Sequence, residues 1–149
     1  MGKNNIFKKV EYQLYNYKGI DVKIRNIDID INRLMNDISL GGGDVFAEKS
    51  SPTNAFNSNV ENEVIKREER ELDHLLQRLR LKKQYLIEDK EKIDNALSLL
   101  TDTEYKLVEL RYFSRNKLTW VQIALKMGYD ETYCKKLRST VINKLCDFI

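Results

Sequence analysis

The sequence predicts an all-α chain, and three observations carry that expectation. Apolar residues recur seven apart over two long stretches. The single proline and three of the six glycines fall in one segment between those stretches, Gly41-Gly42-Gly43 through Pro52. The last fifty residues then break into three shorter amphipathic runs, each opened by a threonine or aspartate suited to capping a helix.

In the first stretch Val10, Tyr17, Ile24, Ile31 and Ile38 form one row, with Ile20, Ile27 and Leu34 as a second row offset by three. These are the a and d positions of a heptad. The run Ile20-Asp-Val-Lys-Ile also alternates with period two, as a strand would, but the heptad extends on both sides of it and the alternation does not. From about Val60 to Leu99 a second long helix is expected, with Ile65, Leu72, Leu79, Leu86, Ile93 and Leu100 seven apart. Its second seam is poor: Leu75, Leu76, Ala96 and Leu97 serve the ends, while Lys82, Lys83, Asp89 and Lys90 occupy the middle. A polar, glycine-rich connection lets the two helices fold back antiparallel, each covering the other's apolar stripe. Residues 1–99 are therefore read as a helical hairpin, coiled-coil-like, with a mobile loop over 39–59. Isoleucine-rich a positions with mixed Ile and Leu at d do not fix oligomeric state, so a homodimer through the N-terminal helices stays open. The three glycines do not make a phosphate-binding loop, since no Gly-Lys-Ser/Thr follows and no strand precedes.

The 149 residues carry 26 Lys+Arg against 23 Asp+Glu, with 33% charged residues. Residues 1–99 are balanced at 17 of each sign, whereas residues 100–149 hold 9 basic against 6 acidic side chains. The excess lies in the C-terminal third, the part assigned to a polyanionic partner. Cys134 and Cys146 lie on one expected helix, ~18 Å apart along its axis at ~1.5 Å per residue, too far to bridge. No signal peptide and no apolar run of membrane-spanning length is seen, so a reducing cytoplasm is expected. His74 has no second histidine or cysteine beside it and reads as a helix-surface residue. No Ser/His/Asp or Cys/His set can be assembled. Neither an enzyme, a metal nor a cofactor is implied.

Residues 100–149 carry the functional signal. Thr101 with Glu104 three residues on is a capping box, and the helix it opens places Tyr105, Val108 and Tyr112 on one face beside Leu107 and Leu110. Thr119 caps a short second helix whose Trp120, Ile123, Ala124 and Met127 are core candidates. Gly128 suits the left-handed turn that stops it, and Asp130 caps the third helix. In that helix Cys134, Leu137, Val141 and Leu145 form an inward stripe. Glu131, Thr132, Tyr133, Lys135, Lys136, Arg138 and Ser139 are then expected to face outward, as in a helix-turn-helix whose last helix enters a major groove.

This stretch, with its opening Leu-Thr-x-x-Glu, its Leu-Arg-Tyr-Phe and the run from Leu118 to Leu145, resembles domain four of bacterial sigma factors. The whole chain is similar to the small sigma-like regulators of Gram-positive phages and prophages, the ArpU and RinA kinds. The resemblance implies a sequence-specific, DNA-binding transcriptional regulator of phage or prophage late genes. It implies base-edge contacts from Glu131, Thr132, Lys135 and Lys136, and backbone contacts from Thr119, Tyr133, Arg138 and Ser139. Double-stranded DNA is the expected partner, with RNA polymerase as a second one. Primary sigma factors place Arg-Glu where this chain has Glu131-Thr132, so the same promoter sequence is not implied. Residues 1–99 hold no counterpart of the sigma domain that melts DNA; Tyr12, Tyr15 and Tyr17 stand at helical spacing and read as packing residues. Two rival readings are a phage small terminase subunit binding packaging-site DNA and a polymerase-binding adaptor without DNA contact.

Overall fold

The structure, a computed structural model, describes residues 2–41 and 59–149. All regular structure among them is helical: α1 (Lys3–Gly41), α2 (Asn59–Leu97), α3 (Asp102–Val108) continuing as a π-helical turn (Glu109–Phe113), α4 (Trp120–Met127) and α5 (Glu131–Leu145). The expected all-α class is thereby found, including the pair of long helices. The loop expected over 39–59 is shorter at its edges, because residues 39–41 and 59 are helical, and its expected mobility concerns 42–58, which lie outside the described residues. No helix among the described residues is long and apolar enough to cross a membrane.

Contacts group the chain into two compact units, Met1–Val22 with Leu86–Ile149, and Lys23–Tyr85. The grouping does not fall at residue 99, where the sequence pattern changes. The reason is apolar. Val10, Leu14 and Ile20 of α1 and Ile93, Ala96 and Leu97 of α2 are buried in the first unit, which also holds the buried Leu107, Val108, Tyr112, Phe113, Ile123, Ala124, Cys134, Val141, Ile142 and Leu145. Leu14 lies outside both expected heptad rows, yet it is fully buried.

Within the first unit α1 and α2 run antiparallel, with Tyr17 donating its hydroxyl to Asp94 and Lys90 Nζ lying 2.8 Å from Asp21. Tyr17 stacks on Phe113, ring centres 4.7 Å apart, and Lys90 sits above the outer part of the Tyr17 ring. Burial, then the hydrogen bond to Asp94, pushes the Tyr17 phenol up from its ordinary value. Lys90, expected as a defect in the second seam, is thus an ion-pair and ring contact.

The second unit is also an antiparallel pair, in which Lys83 Nζ meets Asp28 at 2.6 Å and Ile38 shares a hollow with Ile65 and Leu72. Its buried apolar residues among the described ones are Ile27, Ile31 and Leu76. His74 is exposed on α2, as expected.

The π-helical turn was not foreseen, and the positions of the buried residues give its cause. Leu107-Val108 and Tyr112-Phe113 are both buried pairs, five residues apart. In an unbroken α-helix five residues rotate the face by about 140°, at about 100° per residue. One extra residue absorbed in a π turn cancels most of that offset and returns Tyr112 and Phe113 to the core. Tyr105, expected on the same face, is exposed instead.

Candidate nucleic-acid interface

The caps that position α3, α4 and α5 are those the sequence predicts. Thr101 accepts from the Glu104 N–H while Glu104 accepts from the Thr101 N–H at 2.9 Å, closing the capping box. Thr119 makes the same reciprocal pair with Gln122. Gly128 ends α4 in the left-handed region at φ 76°, and its N–H donates to Ala124 O at 2.9 Å. Asp130 then accepts from the Tyr133 N–H at 3.0 Å and starts α5. Two residues separate α4 from Asp130, so α4 and α5 form a helix-turn-helix with no slack between them.

The faces of α5 follow from its period. Cys134, Val141, Ile142 and Leu145 are buried. On a helical wheel at about 100° per residue, Thr132, Lys136, Ser139 and Asn143 fall on the opposite side. All four are exposed, with Tyr133 and Thr140 flanking them. Ser139 and Thr140 turn their hydroxyls to the carbonyls one turn back, Lys135 O and Lys136 O. Thr140 and Asn143 were missed in the sequence, although the spacing that places Thr132 and Lys136 continues to them.

Seven of the eight expected contact residues divide into three groups. Thr132, Lys136, Ser139 and Tyr133 lie on the open side of α5. Glu131 and Lys135 lie on one flank and pair with each other at 2.5 Å, so the first turn carries less net positive charge than its composition suggests. Thr119 is exposed at the start of α4, with its oxygen engaged by the cap.

Arg138 departs from the expectation of a DNA-backbone contact. It is one turn beyond buried Cys134, about 40° round the wheel, and therefore belongs to the inward arc. Its Nε and Nη2 donate to Glu11 Oε1 of α1 at 2.7 and 2.6 Å, and its guanidinium lies 5.3 Å from the Phe7 ring centre. The same Glu11 oxygen accepts from the Tyr112 hydroxyl at 2.6 Å, and Tyr15 meets Tyr112 edge-on at 4.7 Å. Burial, then the bond to Glu11, raises the Tyr112 phenol well above its ordinary value. Three donors on one carboxylate oxygen tie α1, the π turn and α5 together. Nothing local in the sequence marks Glu11 for this role.

Trp120, read as a core residue, is only half-buried and lies under the Arg111 guanidinium, 4.6 Å from ring centre to Cζ. The buried positions of α4 are Ile123 and Ala124. Glu104 also reaches across to α5, accepting from Lys144 Nζ at 3.1 Å. Its carboxyl is held below the ordinary range, first by the Thr101 N–H, with the Lys144 ammonium adding to the effect against an opposing cost of burial.

The molecule is thus an all-α protein in which a long helical pair precedes a capped helix-turn-helix. The chain belongs to the family described as a protein of unknown function (DUF722), whose model matches residues 7–147. No curated protein and no solved structure matches it.

Proposed function

We propose that this protein is a sequence-specific DNA-binding regulator of transcription that lays α5 in a major groove. The observation that carries the reading is the exposed polar stripe Thr132, Lys136, Ser139 and Asn143, on a helix whose opposite side is anchored in the core. Direct readout needs such a rigid helix, because base-edge hydrogen bonds discriminate only when the side chains bearing them are held in register. Lys136 supplies the central donor for guanine O6 and N7, and Thr132 and Asn143 supply donor-acceptor groups above and below it. The charge excess in residues 100–149 favours the approach of a polyanion.

The hairpin unit is assigned to self-association. Ile29, Leu81 and Tyr85 are each more than half exposed there, and two helices alone offer a single seam in which to hide apolar side chains. A dimer presents two copies of α5, which reads a repeated half-site.

The test is selection of bound fragments from host and prophage genomes with the purified full chain at near-physiological salt, with light scattering on the same sample. Enrichment of one or a few sites upstream of transcribed genes by a dimer is the expected result. Enrichment at a packaging origin by a large ring, or no enrichment at all, overturns the regulator reading.

A further inference from the structure

We infer that Tyr129 and Tyr133 form a two-hydroxyl clamp on one DNA backbone phosphate at the edge of the α5 face, an inference that rests on the DNA-binding reading above. Tyr129 is given no contact by the sigma-like resemblance, and it occupies the turn between α4 and α5. Its N–H donates to Ala124 O at 3.2 Å, fixing it on the cap of α4. Its ring meets that of Tyr133 at 4.8 Å between centres, and the two are 45% and 42% exposed. Each ring therefore covers part of the other while both side chains stay exposed in part.

The hydroxyls separate this pair from Tyr17 and Tyr112. Tyr17 and Tyr112 each spend the phenol proton on a carboxylate, Asp94 and Glu11. Among the described residues neither Tyr129 nor Tyr133 has a hydrogen-bond partner for its hydroxyl. A phenol is a good donor to an anionic oxygen, and pairing the rings removes much of the rotamer freedom that binding would otherwise have to freeze. Lys136 lies one turn beyond Tyr133 on the open side of α5, and Lys106 lines the same shallow hollow as Tyr129, together with Asp102; both ammonium groups are exposed and in no ion pair among the described residues, while the nearby Asp130 carboxylate is engaged by the Tyr133 N–H. A base contact is less well served, because Tyr133 flanks the Thr132 to Asn143 stripe rather than lying on it.

The chemistry predicts a particular signature. A neutral hydroxyl on a phosphate adds affinity that is indifferent to base sequence, and it releases no counterion, so its loss leaves the salt dependence of binding unchanged. The experiment uses the full chain and its Tyr129→Phe, Tyr133→Phe and double variants, which keep both rings. Binding is measured by fluorescence anisotropy on the selected duplex and on an unrelated duplex of equal length, across a salt series. The expected result is a loss of roughly two- to tenfold per hydroxyl on both duplexes, with an unaltered slope of log affinity against log salt and an unaltered thermal midpoint. Unchanged affinity in the double variant overturns the clamp, as does a loss confined to the selected duplex, which would mark a base contact. Failure of the parent chain to bind either duplex overturns the DNA reading and the clamp with it, whereas a binding parent with an indifferent double variant overturns the clamp alone.

Discussion

Glu11 Oε1 near the start of α1 accepts from both Nε and Nη2 of Arg138 on α5, across 127 residues of sequence. Helix α5 is therefore positioned by the first turns of the chain as well as by its neighbours α3 and α4. Glu11→Ala leaves a half-buried guanidinium and the Tyr112 hydroxyl without their acceptor. We expect it to cost about 2 kcal/mol of stability, as charge-assisted bonds of this kind do, read as a lower urea midpoint for the full chain. A double-mutant cycle with Arg138→Ala should give a coupling of about 1 to 3 kcal/mol; an additive cycle would show that the contact contributes nothing.

Lys136 and Arg138 are two residues apart and make opposite predictions. Lys136→Ala should weaken binding to the selected duplex by ~1 to 3 kcal/mol and relax base preference at one position, with stability unchanged. Arg138→Ala should lower stability and leave the affinity of the folded fraction near that of the parent. Competition binding below the unfolding transition separates the two, and equal loss on every sequence for Lys136→Ala would demote that lysine to a phosphate contact.

Glu104 predicts a term in the acid limb of the stability curve. Its carboxyl is held below the ordinary value in the folded chain, by the Thr101 N–H first and the Lys144 ammonium after it. Between the folded and unfolded pKa values the unfolded chain binds the more protons, so stability falls as pH drops through that window. The contribution is complete above the ordinary carboxyl range and gone below the folded value. Glu104→Gln should flatten that part of the curve in urea melts across pH 2 to 6, and a variant with the parent's slope would refute the assignment.

Gly128 is expected to resist substitution for a backbone reason alone. At φ 76° it lies in the left-handed region, and a Cβ built there would meet nothing within 4 Å. Gly128→Ala should therefore cost about 1 to 2 kcal/mol, the conformational penalty for an L side chain there. Gly128→Asn should recover part of it. Thermal melts of the two variants give the comparison.

What was legible in the sequence was what neighbouring residues determine. Thr101 with Glu104, Thr119, Gly128 and Asp130 each act within four residues of themselves, and each caps or stops its helix as its type dictates. The heptads likewise revealed α1 and α2, and the Cys134 to Leu145 spacing revealed the buried side of α5, although Leu137 of that stripe is only half-buried and Ile142 outside it is buried. What was not legible depends on partners distant in sequence. Arg138 is expected outward because the stripe of Cys134, Leu137, Val141 and Leu145 leaves it out and the sigma-like resemblance puts it on the DNA backbone, yet its angular position beside Cys134 places it inward, and Glu11 explains how a charge is accommodated there. Lys83 and Lys90 look like gaps in a seam when α2 is taken alone, because their partners Asp28 and Asp21 stand on the other helix. Leu14 is buried although no heptad row includes it, because its half of α1 shares a core with the C-terminal helices. The π turn appears as a five-residue spacing of buried pairs, a period that neither a heptad nor a regular α-helix matches.

The grouping of Met1–Val22 with Leu86–Ile149 has a practical meaning for anyone wishing to transplant the last three helices of this chain. Cut at residue 100, the fragment would forfeit Val10, Leu14, Ile93 and Leu97 from its interior and would strand Arg138 and Tyr112 without Glu11. Residues 100–149 are not a portable cassette. Any chimera must carry both ends of the hairpin with it, joined by a substitute connection between residues 22 and 86.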